Sequence, residues 1–335
     1  MERSAAPSPA PNSAPQALSP AIRGRWLARL APHTPSARAL AFAAVYVIWG
    51  STYLGIRVGV STIPPLLLAG ARFFIAGAVL LTWSRLGGAR PPTHVEWRRA
   101  AVSGVTMLAG GSGLVTLAET HVPSNLAALM IAGVPAYVAL VEWWRPGGAR
   151  PGRRVLAGVL IGSLGMLLLV RPGRAELGSG HWYGVCALVL AGGCWALGST
   201  YTRYRQQYPN AAVAGAQQML AGGGVLLLLG IGRGELAQLD LDRVSAESLL
   251  AFGYLTVFGS MIAFSAFNWL ASRVSPAELA TTAYVNPVVA LVLGWVVLGE
   301  ALQPISLAGA ALIVAAVIAM LAPRRGVSVA GRAQR

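Results

Sequence analysis

The sequence predicts an all-α integral membrane fold of ten transmembrane helices, arranged as two inverted five-helix repeats. Three observations carry that expectation: long apolar runs, a one-sided distribution of arginine, and a set of motifs repeated about 150 residues apart. The 335 residues are 55% hydrophobic and 11% charged, with a mean hydropathy of +0.61. A water-soluble domain carries about 25% charged residues, so this chain cannot coat itself with polar groups. Runs of about 20 apolar residues, enough to cross a hydrocarbon core of about 30 Å, recur along it.

The spans are expected at 39–59, 64–84, 99–118, 124–144, 155–170, 182–202, 211–231, 248–270, 277–298 and 304–322. Residues 1–36 are rich in Pro, Ala and Ser and contain no apolar core before a cleavage site. They read as a disordered cytoplasmic tail rather than a signal peptide. Residues 37–171 form the first repeat (spans one to five), 181–322 the second (spans six to ten), and 323–335 a cytoplasmic C-terminal tail. Glycine runs such as Gly110, Gly111 and Gly113, or Gly222 to Gly224, suit close approach of helix backbones in lipid.

All 26 basic residues are Arg, and the net charge is +15. Such a charge on one surface stripe would point to nucleic acid. Here the charges sit between apolar runs, which excludes nucleic acid as a partner. Twenty of them fall in the tails and even-numbered loops, among them Arg145, Arg150, Arg153 and Arg154. The opposite loops carry four: Arg171, Arg174, Arg233 and Arg243. Because positive loops stay inside, the expected placement is multi-pass in the plasma (inner) membrane with both termini cytoplasmic.

Gly50-Ser51-Thr52-Tyr53, preceded by Trp49, returns as Gly198-Ser199-Thr200-Tyr201, preceded by Trp195. Arg72 to Gly77 aligns with Gln218 to Gly223, Pro135 with Pro287, and Leu156-Ala157-Gly158 with Leu307-Ala308-Gly309. Five spans per half is an odd number, so the second half enters from the opposite side. Inverted repeats of this kind are characteristic of secondary transporters.

On these residues the chain resembles the EamA family of the drug/metabolite transporter superfamily. The resemblance rests on Trp49-Gly50-Ser51-Thr52-Tyr53, on Ala71-Arg72-Phe73-Phe74-Ile75-Ala76-Gly77, and most of all on Ser275 to Ala280 with Tyr284-Val285-Asn286-Pro287 and Leu298-Gly299-Glu300. Glu142-Trp143-Trp144-Arg145 departs from it where the first half often carries Leu-Gly-Glu. The resemblance implies ten helices, cytoplasmic termini and export of amino acids, metabolites or drug-like amphiphiles.

Arg72 lies about eight residues into span two, or about 12 Å deep. A charge at that depth faces the bundle interior or a wet cavity, or else caps backbone carbonyls. Pro135 and Pro287 interrupt spans four and nine at matching places, freeing the carbonyls of Ile131 and Ala283. A packing kink is the alternative. The expected cavity lining is Trp49, Tyr53, Arg72, Pro135, Tyr137, Tyr201, Gln218, Tyr284, Asn286 and Pro287. Arg57 should snorkel from the last turn of span one. Glu142 and Glu278 read as rim residues, and Glu119 and Glu300 as outer-end residues, leaving no mid-membrane carboxylate. Weakly proton-coupled or facilitated transport of neutral, zwitterionic or amphiphilic solutes is therefore expected.

Cys186 and Cys194, eight residues apart on one helix, are too distant to bond and have no metal-ligand spacing. No catalytic set, metal site or cofactor motif is present. The expected partners are a small-molecule substrate and the lipid bilayer, and a homodimer is compatible with the spans. The alternative class is an intramembrane lipid- or isoprenoid-modifying enzyme, which needs Asp, His or Glu clustered at one depth. A non-transporting receptor fits the spans but leaves the repeat unexplained.

Overall fold

The computed structural model describes residues 35–122, 127, 130–148, 150–169, 181–205, 210–298 and 304–321. The tails, Arg171, Arg174 and the Gly299-Glu300 pair lie outside the described residues. Met1–Leu40 is a unit of its own, described only from Pro35 onwards.

Every regular element among the described residues is helical. The longer ones run α1 (Pro35–Gly59), α2 (Pro65–Leu86), α3 (His94–Ala118), α4 (Val134–Trp144), α5 (Arg153–Leu169), α6 (His181–Arg205), α7 (Ala211–Gly232), α8 (Ala246–Ala271), α9 (Pro276–Leu298) and α10 (Pro304–Leu321), with a short helix at Glu235–Gln238 and a 3₁₀ turn at Leu241–Arg243 between α7 and α8. Six of them (α1, α2, α3, α6, α7 and α8) are long and apolar enough to cross a membrane. The helix flanks display large apolar side chains such as Trp83, Leu160, Leu228 and Leu250, a surface suited to lipid rather than water.

Local chemistry sets the helix starts. Pro64 and Pro65 open α2 with a preset φ and no wasted donor. Its next two donors, the Leu66 and Leu67 N–H groups, both reach the Glu235 carboxylate, at 2.9 and 3.0 Å. Thr93 and Glu96 form a capping box on α3, as do Ser275 and Glu278 on α9. Glu278 is thus a helix cap. Asn210 accepts from Ala212 N to start α7, and Ser245 accepts from Ser248 N to start α8.

Span four is interrupted next to Pro135: Ala127, Met130 and Ile131 are helical, Ala132 and Gly133 form a turn, and Pro135 stands in the first turn of α4 that follows. A proline there sacrifices no hydrogen bond. Pro287 does lie inside α9.

Two π-helical stretches, Val105–Gly113 in α3 and Leu255–Ala263 in α8, lie 150 residues apart. In the second, Ser260 Oγ donates to the carbonyl of Leu255, five residues back. Wide turns of this type mark functional positions in long helices.

Small residues govern the packing. A Cβ at Gly70 would meet Leu227 and Gly223 of α7, and one at Gly77 would meet Ala216 and Leu220. The partner numbers fall as the α2 numbers rise, so α2 and α7 cross antiparallel. At Gly104 a Cβ would stand 2.2 Å from the Gln218 carbonyl, and at Gly165 it would stand 2.8 Å from the Gly309 carbonyl. These contacts join α3 to α7 and α5 to α10.

Candidate functional site

Helices α1, α2, α3, α4, α6, α8 and α9 surround a cavity of about 130 Å³. Its wall begins with Trp49, the last aromatic residue before the Gly50-Ser51-Thr52-Tyr53 segment of α1. Gly50 brings α1 so close to α9 that a Cβ would meet Val289 at 2.6 Å. Trp49 is thereby held against Trp195, edge to face at 5.4 Å, and against Phe267 at 5.1 Å. Its indole Nε1 donates to the carbonyl of Gly259, within the π stretch of α8, at 3.2 Å. Ser112, from the π stretch of α3, is also in the wall.

Four of the expected lining residues are in the wall: Trp49, Tyr53, Arg72 and Asn286. Ile131 and Ala283, each four residues before a proline, join them. The other six stand elsewhere. Pro135 is buried in the first turn of α4, next to the cavity residue Val134. Tyr137 packs on Gly192 of α6. Tyr284 lies over Gly162 of α5, its hydroxyl donating to the Val159 carbonyl at 3.3 Å. Gln218 donates from Nε2 to Ser103 Oγ and Thr202 Oγ1, at 3.0 and 3.2 Å, and so ties α7 to α3 and α6. Tyr201 and Pro287 lie outside the wall, Tyr201 half-buried on α6 and Pro287 buried inside α9.

The cavity's polar groups are few and under-used. Arg72 is 4% exposed, donates from Nη2 to Ser112 Oγ at 3.1 Å and lies over the Phe73 ring. Its Nε, Thr200 Oγ1 and Asn286 Oδ1 are buried without a hydrogen-bond partner among the described residues. Buried polar atoms in folded proteins nearly always have partners. Glu142 Oε1, also in the wall, is a fourth such atom among the described residues.

At the opposite end, Glu142 accepts from the Tyr204 hydroxyl at 2.9 Å, with Arg145 Nε at 3.8 Å. Arg203 donates to the carbonyls of Ala271 and Val274. Arg57 is exposed, as snorkelling requires, and donates to the main-chain oxygen of Glu119 at 3.0 Å. Glu119 stands at the end of α3, as expected, and is 0% exposed there. No cluster of three metal-ligating side chains occurs among the described residues.

Trp195, Thr200, Ser112 and Phe267 are cavity residues that the motif reading passed over. A signal existed for two of them. Trp195 follows Trp49 by the same 146 residues that separate Gln218 from Arg72, and Thr200 is the repeat counterpart of Thr52, itself in the wall.

Comparison with known proteins adds the family. A solved crystal structure with 24% sequence identity superposes with a TM-score of 0.70, covering 86% of this chain and 97% of that one, and so shares the fold. The "Uncharacterized inner membrane transporter YedA" of Escherichia coli is 40% identical over 280 residues, 83% of this chain and 88% of the relative. The "Probable amino-acid metabolite efflux pump" of Salmonella typhimurium is 28% identical over 280 residues, 81% of this chain and 90% of the relative. The "Probable terminal-alkyne amino-acid exporter" of Streptantibioticus cattleyicolor is 27% identical over 296 residues, 87% and 97%. Residues 37–171 and 182–322 each match the EamA-like transporter family. The apolar helices and these matches make the chain a multi-pass membrane transporter of small molecules rather than an enzyme, and it belongs to the EamA-like transporter family.

Proposed function

We propose that the protein is a secondary transporter that exports small organic solutes (amino acids, metabolites or drug-like amphiphiles) across the inner membrane by alternating access. The observation that carries this reading is the aromatic-walled cavity with unpartnered Arg72 Nε, Thr200 Oγ1 and Asn286 Oδ1. Apolar walls with a few convergent polar groups are what a small-molecule site consists of. Trp49, Tyr53, Arg72 and Asn286 are its substrate contacts. The names of two relatives, an efflux pump and an exporter, favour the outward direction.

The ten-span, inverted-repeat architecture belongs to the same proposal, with repeats at 37–171 and 181–322 flanked by cytoplasmic tails. Three features support it. Counterpart helices α2 and α7 cross antiparallel. Counterpart π stretches interrupt α3 and α8. Trp49 and its counterpart Trp195 meet at the cavity. Counterparts also differ: Arg72 faces the cavity, whereas Gln218 is tied into a helix crossing. Unequal environments for equivalent residues are expected when one of two alternating states is occupied, and exchange of the two gives access to the other side. A homodimer is compatible with the lipid-facing flanks.

Uptake of a radiolabelled panel of amino acids and aromatic metabolites into inverted vesicles tests the reading. Arg72→Ala should abolish uptake while the protein stays inserted and folded. Arg72→Lys should restore little, because an ammonium lacks the planar fork that serves Ser112 and a guest together. Full uptake by Arg72→Ala, or no protein-dependent uptake of any solute, overturns it.

A further inference from the structure

Arg72 brings more hydrogen-bond donors to the cavity wall than the wall uses. It is 4% exposed and joins no ion pair among the described residues. Its Nη2 donates to Ser112 Oγ at 3.1 Å, while its Nε is buried without a partner. No described backbone carbonyl accepts from it, so the capping role also open to it from sequence is not taken up there. The Phe73 ring, 4.4 Å from the guanidinium carbon, eases the burial of the charge but supplies no acceptor. Glu119 acts on Arg72 only at a distance: it is outside the wall, and its charge is shared with Arg57.

The other charged residues of the wall are already served. Arg203 donates to the carbonyls of Ala271 and Val274. Glu142 accepts from the Tyr204 hydroxyl and has Arg145 beside it, the Arg145 guanidinium lying over the Tyr204 ring at 3.8 Å. The wall thus holds two arginines and one glutamate, and that glutamate has a cation of its own outside the wall. An acceptor carrying one negative charge is what Arg72 lacks, and a guest that supplies it offsets the cost of burying the guanidinium.

We propose that Arg72 and Ser112 form the recognition site for the carboxylate of a small monoanionic solute with an apolar body, and that the protein selects such acids over amines and zwitterionic amino acids. The Arg72 Nε–H donates to one carboxylate oxygen. Ser112 accepts from Nη2, which leaves its own O–H to donate to the other oxygen. Trp49, Trp195 and Phe267, with ring centroids 5.1 to 5.6 Å apart, take the apolar body. A zwitterion also brings a carboxylate, but its ammonium group meets no wall carboxylate lacking a cation. The inference rests on the cavity being the transport site. It narrows the neutral, zwitterionic or amphiphilic solutes expected from the spans to anionic amphiphiles.

The purified full-length protein in nanodiscs is titrated with four solutes that share one ring: phenylacetate, phenylethanol, phenethylamine and phenylalanine. Quenching of tryptophan fluorescence reports binding, since Trp49 and Trp195 are in the wall. Phenylacetate should bind tightest, about ten- to a hundredfold ahead of phenylethanol, as for a gained hydrogen bond to a charged group. Phenylalanine should fall about tenfold or more behind phenylacetate, and phenethylamine should be weakest. Arg72→Gln introduces the residue type that Gln218 supplies at the aligned place in the second repeat. That variant should bind phenylacetate no better than phenylethanol, with phenylethanol held near its original affinity. Absence of phenylacetate binding, phenylalanine or phenethylamine binding as tightly as phenylacetate, or an Arg72→Gln protein that keeps the preference overturns the proposal. The ranking in the unaltered protein needs no variant, so a misfolded Arg72→Gln leaves the test intact. Uptake of phenylalanine but not phenylacetate into inverted vesicles overturns the anion site and spares the transport reading. The expected ranking with no uptake of any solute supports the anion site and overturns the transport reading.

Discussion

Trp49 on α1 holds the π stretch of α8 through one contact, its indole N–H donating to the Gly259 carbonyl at 3.2 Å. The same ring closes an aromatic set with Trp195 and Phe267. One side chain thus joins the middle of one repeat's first helix to the irregular part of a helix in the other. A π turn leaves slack in the ladder of hydrogen bonds, so such a tie bears on how the helix bends.

Trp49→Phe separates the two roles. It preserves the ring contacts and deletes the donor, at a cost of about 1 kcal/mol in stability. We expect a thermal unfolding temperature within a few degrees of the unaltered protein and a much larger fractional loss of vesicle uptake. Unchanged uptake would show that the Gly259 contact is packing only.

The two glycine crossings make opposite predictions for the same substitution. In Gly104→Ala the new methyl group stands 2.2 Å from the Gln218 carbonyl and 2.7 Å from its Cα, both backbone atoms of α7. The helices have to separate, and a destabilisation above the usual 1–3 kcal/mol of overpacking is expected, about 3 kcal/mol or more. In Gly110→Ala the nearest atoms are Cys194 Sγ at 2.9 Å and its Cβ at 3.0 Å; no backbone atom is that close, the thiol can turn away, and a shift of a few tenths of an ångström relieves the Cβ. Fluorescence-detected size exclusion after heating should show the first variant lost and the second retained.

Much of this fold was legible in the sequence because lipid imposes a length on every apolar run. The observed helices, from Pro35–Gly59 to Pro304–Leu321, start and stop within a few residues of the expected ranges, apart from α3, which extends back to His94, and the fourth span, which is interrupted by a turn at Ala132 and Gly133. The cavity was half legible. Trp49, Tyr53, Arg72 and Asn286 stood out as polar or aromatic residues in apolar runs. Tyr284 stood out equally, yet it fills the notch at Gly162, where a Cβ would be 2.7 Å from its ring. Such a notch is a contact between distant residues and leaves no local trace. The burial of Glu119 was hidden for the same kind of reason. Its burial depends on α1 and α2 closing over the end of α3, whereas its sequence neighbours Thr120 and His121 read as a polar helix end.

Glu235 supplies a stability prediction away from the cavity. Its carboxylate satisfies two of the free N–H groups that begin α2, where the positive end of the helix dipole favours an anion. Glu235→Ala leaves both donors buried without an acceptor, and about 1.5–3 kcal/mol of stability should be lost, as for hydrogen bonds to charged groups. Glu235→Gln keeps an oxygen acceptor and should lose less. Thermal unfolding in one detergent ranks the three proteins, and uptake per folded molecule should be equal in all of them. A Glu235→Ala protein as stable as its parent would mean that water caps the helix as well as the carboxylate does.

The orientation of the chain is open to direct chemical test, because the two classes of loop differ so strongly in arginine. Arg145, Arg150, Arg153 and Arg154 crowd the connection between α4 and α5, while Arg233 and Arg243 flank the connection between α7 and α8. Positive charge resists transfer across the membrane during insertion, so the denser loop should remain inside. Arg150 is exposed, and Leu241, in the turn after α7, is 76% exposed, so both can be labelled without unfolding. Cys186 is exposed as well, so Cys186→Ser and Cys194→Ser come first. In that background Arg150→Cys should resist an impermeant thiol reagent in intact cells and react once the cells are permeabilised. Leu241→Cys should react in both. The opposite pattern would place the termini outside and reverse which end of the cavity, Glu142 or Arg72, faces the cytoplasm.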